Sequence, residues 1–192
     1  MTVFEVIKAR RSVGKMKPDL PARQTIERIL EAATYAPNHH EVEPWRFFVM
    51  SGKVREELGE IMAERLAQKL GETRSEKAQA ALIKERSKLL RAPVIIAVAS
   101  LKPNQPKIVD IENVEAVAAA IQNMLLVAQE EGLVSIWRTG DPVYDPKIKA
   151  FFGIEPEEHL VGFVYLGYPA VPIPHREPGH FETKTRWLGW ED

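Results

Sequence analysis

Three short stretches of this sequence hold residues that can do chemistry at close quarters. Arg10-Arg11-Ser12 sets two guanidiniums and a hydroxyl on consecutive positions, able to give a phosphate several charge-assisted hydrogen bonds. At a helix end the same residues would also complement the macrodipole, so a purely local role stays open. The stretch Ala36-Pro37-Asn38-His39-His40-Glu41-Val42-Glu43-Pro44-Trp45 crowds histidines and carboxylates together. Adjacent histidines in a loop rarely aim at one ion, and neither HExxH nor facial-triad spacing accompanies them. A structural loop or an aromatic-lined ligand site is therefore preferred to a metal site. Ser135-Ile136-Trp137-Arg138-Thr139-Gly140 is a strand end running into a polar turn. Ligands favour the carboxyl ends of strands in layered folds, and Arg-Thr-Gly offers donors and a close backbone approach. An ordinary turn is the alternative.

Several common chemistries are missing. No GxGxxG, Walker loop, GxSxG or paired catalytic carboxylates occur, so the usual phosphate-loop and hydrolase readings have no support. With 0 cysteines, disulfides, thiolate metal sites and a cysteine nucleophile are excluded. Lys plus Arg number 26 and Asp plus Glu 27, a net charge of −1 that asks for no polyanionic partner. Residues 72–91 do gather Arg74, Lys77, Lys84, Arg86, Lys88 and Arg91, but glutamates are interleaved and no aromatic is there to stack on bases. They read as a solvated face, not a nucleic-acid surface.

The elements that must position these groups follow from periodicity. The 192 residues, 45% hydrophobic and 28% charged, read as one soluble domain spanning 1–192. Thr2 and Glu5 form a capping box ahead of a helix with Val3, Phe4 and Ile7, and Val6 as a further candidate, in its apolar stripe. Ile26, Ile29, Leu30 and Ala33 mark a second helix, stopped by Pro37. Trp45–Met50 is a strand, and Val54 to Leu66 a third helix. Residues 72–91 are a solvated helix or an excursion, expected to be mobile together with the end of the third helix and to border a substrate entrance. Ala92–Ala99 is a strand covered on both faces. A long helix from about Asn113 to Glu131 is apolar around much of its circumference and should be buried. Leu133–Trp137 is a strand; Asp145-Pro146 opens a short helix ended by Gly153; Leu160–Gly167 is the last strand. Pro169, Pro172, Pro174 and Pro178 keep the tail extended. No signal peptide and no run of roughly 18 apolar residues is present, so no membrane span and a cytoplasmic location are expected.

Taken in order, Arg10-Arg11-Ser12, Ala36-Pro37-Asn38-His39 with Pro44-Trp45-Arg46-Phe47-Phe48-Val49, Ile136-Trp137-Arg138-Thr139-Gly140 and Val161-Gly162-Phe163-Val164-Tyr165-Leu166-Gly167 resemble the FMN-dependent nitroreductase family. The likeness is greatest to its short NAD(P)H nitroreductase branch and spans about residues 3–170. It implies an α+β sandwich, a central and mostly antiparallel sheet wrapped by helices, in a homodimer with FMN at the interface. It also implies that Arg10, Arg11 and Ser12 hold the flavin phosphate and that Trp137, Arg138 and Thr139 contact the same flavin. Tyr35 and His39 would reach it from the partner chain. Electrons would pass from NAD(P)H to a nitroaromatic, quinone or similar flat acceptor in a ping-pong cycle, with no side-chain nucleophile. A different flavin reaction on the same fold, or a non-catalytic flavin-binding module, is the alternative. The chain departs from the family pattern at Glu43, where Gln is usual, at Tyr35, where the branch tends to be basic, and at Gly14. A basic tail residue often reaches the phosphate in the family, and Arg176, Lys184 and Arg186 are the candidates.

Overall fold

The computed structural model describes residues 1–177 and 179–190. Helices α1 (Val3–Ala9) and α2 (Arg23–Thr34) precede strand β1 (Trp45–Met50). Then come α3 (Val54–Leu70), α4 (Glu76–Arg86), β2 (Val94–Ser100), α5 (Asp110–Glu130), β3 (Val134–Arg138), α6 (Pro146–Phe151) and β4 (His159–Gly167). Short 3-10 turns occupy His39–Glu41, Lys88–Arg91, Asp141–Tyr144 and Phe181–Lys184.

The strands form one sheet in the order β1-β2-β4-β3, and every ladder is antiparallel. β2 lies in the middle and is buried along its whole length, as its unbroken apolar run requires. Alternation along β2 divides the core. Val94, Ile96 and Val98 face α2 and α5, where they meet Ile29, Val117, Ile121 and Met124. Ile95, Ala97 and Ala99 face the other way, towards Leu58 and Met62 of α3 and Ile148 of α6. The helices therefore cover both faces, giving the α+β sandwich expected. Each fully buried aliphatic side chain contributes about 1.5–3 kcal/mol by leaving water.

Local chemistry explains most boundaries. In α1 the Glu5 N–H donates to the Thr2 hydroxyl at 3.3 Å and the Thr2 N–H to the Glu5 carboxylate at 2.7 Å, completing the capping box. Asp145 caps α6 through Oδ1, and Pro146 takes the first turn, where no N–H is needed. Helix α5 has the length and apolar content to cross a membrane. Here it is the central core helix, with Val117, Ala120, Ile121, Met124 and Ala128 wholly buried.

Some expectations need correction. Of the apolar positions in α1, only Val6 is buried, while Val3, Phe4 and Ile7 are uncovered. A seven-residue helix lying on α5 can turn only one narrow stripe inward. The stretch 72–91 is not one helix. α3 runs on to Leu70, Ser75 starts α4 by accepting from the Ala78 N–H, and Leu89 anchors a separate 3-10 turn. α4 itself buries Ala78 alone. α5 begins at Asp110, ahead of the expected Asn113. The tail is extended except for the turn at Phe181–Lys184; its Pro178 lies outside the described residues.

Candidate functional site

The end of α1 gathers cations. Arg10 closes the helix, its N–H donating to the Val6 carbonyl at 2.9 Å. Its guanidinium is partly buried, and Nη1 has no hydrogen-bond partner among the described residues. Burial, then the charges of Arg11 and Arg176, hold the Arg10 pKa below its ordinary value. Arg11 is largely occupied with backbone. Its Nη1 donates to the carbonyls of Lys8 (2.6 Å) and Arg10 (2.7 Å), and its Nη2 to the Arg176 carbonyl at 3.1 Å. Only its buried Nε is left without a partner. Phe4, Arg10, Arg11 and Arg176 line one cleft of about 890 Å³, together with the carboxylates Glu5 and Glu177. Of the tail candidates, Arg176 lines this cleft, while Lys184 and Arg186 do not.

The chain after α1 extends the sheet. Ser12 pairs in parallel with Ser135, and the Val13 N–H donates to the Ser135 carbonyl at 3.1 Å. That pairing brings the Arg10–Gly14 segment beside β3 and so beside Arg138. A side-chain carbon added at Gly14 would lie 3.2 Å from the Arg138 Nη2. The Arg138 guanidinium rests over the Tyr165 ring, 5.4 Å from its centre, and its buried Nε has no partner. Burial pushes the Tyr165 phenol up to about 12, while the charges of Arg138 and Arg91 pull it the other way. Trp137 faces the opposite side of the sheet. Its indole N–H donates to the Val161 carbonyl at 3.4 Å and packs over Gly162, where a Cβ would lie 2.2 Å from Nε1. Gly162 is thus required for this packing, and by alternation the packing turns Arg138 towards Tyr165. Thr139 follows and is exposed.

Tyr35 and His39 are not brought to this cleft within the chain. Tyr35 ends α2, is 78% exposed, and lines a hollow of about 320 Å³ with Met1, Val3 and Val6. His39 lines another, of about 530 Å³, with His40, Glu112 and Glu115. The loop that carries it is strained: His40, Glu41 and Glu43 have φ of 57°, 52° and 46°, the left-handed region that non-glycine residues rarely adopt. Asn38 supports the loop by accepting from the Glu43 N–H at 2.9 Å. The structure therefore brings Arg10 and Arg11 together in one cleft and lays Ser12 and Gly14 beside β3 near Arg138, while Trp137 faces the other side of the sheet and Tyr35 and His39 line separate hollows. Tyr165 and Gly14 fall within or beside the sequence motifs, but the sequence gives neither a contact, because one sits in an apolar strand and the other carries no side chain. Only the pairing of β3 with β4 and with Ser12 shows what they touch.

A family model described as Nitroreductase family matches residues 7–168. The chain belongs to this family. Over 169 residues it is 30% identical to "Putative NAD(P)H nitroreductase YdjA" of Escherichia coli K12, covering 88% of this chain and 89% of that protein. The nitroreductase-like family protein of Bacillus cereus superimposes with a TM-score of 0.81 at 25% identity, over 99% of this chain and 97% of that one. A Bacteroides fragilis nitroreductase crystallised with bound FMN gives a TM-score of 0.75 at 26% identity, over 98% and 99% of the two chains. Membership makes this protein an oxidoreductase of the nitroreductase fold.

Proposed function

We propose that this nitroreductase-family chain binds FMN and carries electrons from NAD(P)H to a nitroaromatic, quinone or similar conjugated acceptor, donor and acceptor using one pocket in turn. The observation that carries the reading is the cleft where Arg10, Arg11 and Arg176 meet with buried guanidinium nitrogens left unpartnered. Glu5 and Glu177 also line the cleft but take up neither buried nitrogen; leaving such nitrogens unpartnered is costly, and a dianionic phosphate would offset that cost. The residues present therefore fit a flavin phosphate. Because they stand at a helix C-terminus, the dipole does not favour an anion, and side chains must do the holding.

Each residue then has a task. Arg10 and Arg176 meet the phosphate, and Arg11 contributes its Nε while its other nitrogens fix the helix end to the tail. Ser12 adds its hydroxyl at the same edge. Arg138, with Nε free and its charge near Tyr165, and Thr139 hold the flavin from the β3 side. Trp137 contributes through the wedge that orients Arg138. Bound FMN would supply the redox chemistry, accepting hydride from the nicotinamide and returning electrons to the acceptor.

The reading includes a homodimer and a cytoplasmic location. Tyr35 and His39 line hollows away from Arg10, which supports their acting on the flavin of a second copy. The uncovered Val3, Phe4 and Ile7 give such a copy an apolar face to cover. The test is an absorbance spectrum of the purified protein, followed by anaerobic NADH or NADPH. About one FMN per chain, bleached by the nicotinamide, is expected. A colourless protein that takes up no added FMN would overturn the reading. Bound FMN that no nicotinamide bleaches would favour a binding module instead.

A further inference from the structure

Beyond Arg138, which the β3–β4 ladder pairs with Phe163, the chain does not hold itself in place. Thr139 and Gly140 are exposed, and Gly140 has φ 107°, a conformation that glycine adopts without strain. The chain then enters the 3-10 turn Asp141–Tyr144 and reaches Asp145, the cap of α6. Both ends of that turn are tied to one side chain from another element. Arg65 of α3 forms ion pairs through Nη2 with Asp141 Oδ2 at 3.2 Å and through Nε with Asp145 Oδ2 at 3.0 Å. Lys69, one helical turn on, pairs with the same Asp141 oxygen. Arg65 and Asp145 are the protected members of the set, with 17% and 16% of their side chains exposed. Asp145 divides its work: Oδ1 accepts from the Lys147 N–H at 2.9 Å and the Ile148 N–H at 3.4 Å, leaving Oδ2 to Arg65. A planar guanidinium meets the two carboxylates with two different nitrogens at once, where an ammonium has a single nitrogen to share.

We infer that Arg65 is a positioning residue for the flavin site. By stapling the two ends of the 141–145 turn to α3, it fixes where β3 ends and so where Arg138 and Thr139 point. It touches no ligand itself. The inference rests on the proposal that Arg138 holds the flavin, and on nothing about which acceptor is reduced. It also makes the α3–α4 hairpin part of the site's frame, because movement of α3 is passed to Arg138 through this fork.

The experiment is a double-mutant cycle read as FMN affinity, by fluorescence quenching on flavin-stripped protein, with apo melting temperature measured alongside. Arg65→Met keeps the aliphatic stem and removes the fork. Asp145→Asn keeps a competent helix cap and removes the charge that Arg65 meets. Each should raise the FMN Kd about 3- to 30-fold, the size of couplings passed through packed side chains. Arg65→Lys should recover part of that loss. In an Arg138→Ala background, Arg65→Met should add less than about twofold, because its effect runs through Arg138. Additive losses, or an FMN Kd unmoved by Arg65→Met and Asp145→Asn while Arg138→Ala raises it, would overturn the positioning role alone. An unmoved Kd in Arg138→Ala would overturn the flavin contact itself, and the positioning role with it. Should Arg65→Met not fold, Arg65→Lys and Asp145→Asn give the same decision.

Discussion

Two groups of cations in this chain are handled in opposite ways. At the end of α1, Arg10, Arg11 and Arg176 share a cleft and form no ion pair among the described residues, and buried nitrogens of Arg10 and Arg11 are left unpartnered. On α3, Arg65 and Lys69 are met by Asp141 and Asp145. The second group is matched and holds the fold in place, touching no ligand itself. The first leaves buried nitrogens unpartnered although Glu5 and Glu177 line the same cleft, which lowers apo stability and is useful only if something else supplies the anion. Residue type alone does not separate a ligand site from a strap; whether an acid is paired with the cation does.

The largest expected effect comes from breaking the unmatched side. Arg10→Ala removes a charge-assisted contact of about 1.5–3 kcal/mol, or roughly 10- to 150-fold in FMN affinity. Since Arg10 also carries the repulsion from Arg11 and Arg176, the apo protein should lose little stability or gain some. A loss of apo melting temperature as large as the loss of FMN binding would mean that Arg10 is a structural cap. The same variant tests the shared site. If Arg10→Ala and His39→Ala chains are each inactive, mixed dimers should recover up to one working site, because both lesions then fall on the other flavin. No recovery after demonstrated subunit exchange would place both residues on one chain's flavin.

The contrast also explains what was legible in the sequence. The order of helices and strands was readable throughout, because Ile29 and Ala33 of α2, the unbroken run of β2 and the apolar α5 carry strong periodic signals. Arg10-Arg11-Ser12 and Arg138-Thr139 were readable as local motifs. Arg176 could not be chosen among three basic tail residues, because the contact that selects it runs between residues 165 positions apart. Arg65 was invisible for the same reason: in sequence it is one more charge on a charged helix. The exposure of Val3, Phe4 and Ile7 was misjudged because periodicity shows that a face is apolar, not what covers it.

A middle-sized effect should follow from adding a further acid to the Arg10 cleft. His175 lines the Arg10 cleft and is exposed, so His175→Glu adds a carboxylate there without removing core packing. The apo protein should melt roughly 2–4 °C higher, about 1 kcal/mol for a chain of this size. FMN affinity should fall about tenfold, as the new carboxylate competes with the phosphate for the same cations. A variant that gained stability and kept its affinity would show that the phosphate is held elsewhere.

The smallest effect belongs to the matched side, and its sign can be worked out. Lys69 and then Arg65 donate to Asp141 and hold its carboxyl below the usual carboxylate range. The folded value therefore lies below the unfolded one, near 3.9. Its stabilising contribution is complete above that unfolded value and is lost as pH falls through the folded value. Asp141 is solvent-exposed, so water and salt screen the pair and the contribution at neutral pH is small. Asp141→Asn should leave the melting temperature at pH 7 almost unchanged and make the acid limb of the stability curve slightly shallower. Added salt should erase the difference between variant and parent, since it screens what Asp141 gains. At the Arg10 cleft the same salt should do the reverse, because there it screens repulsion and raises apo stability. Salt that weakened both clusters would mean that the α1 arginines have an acid partner after all.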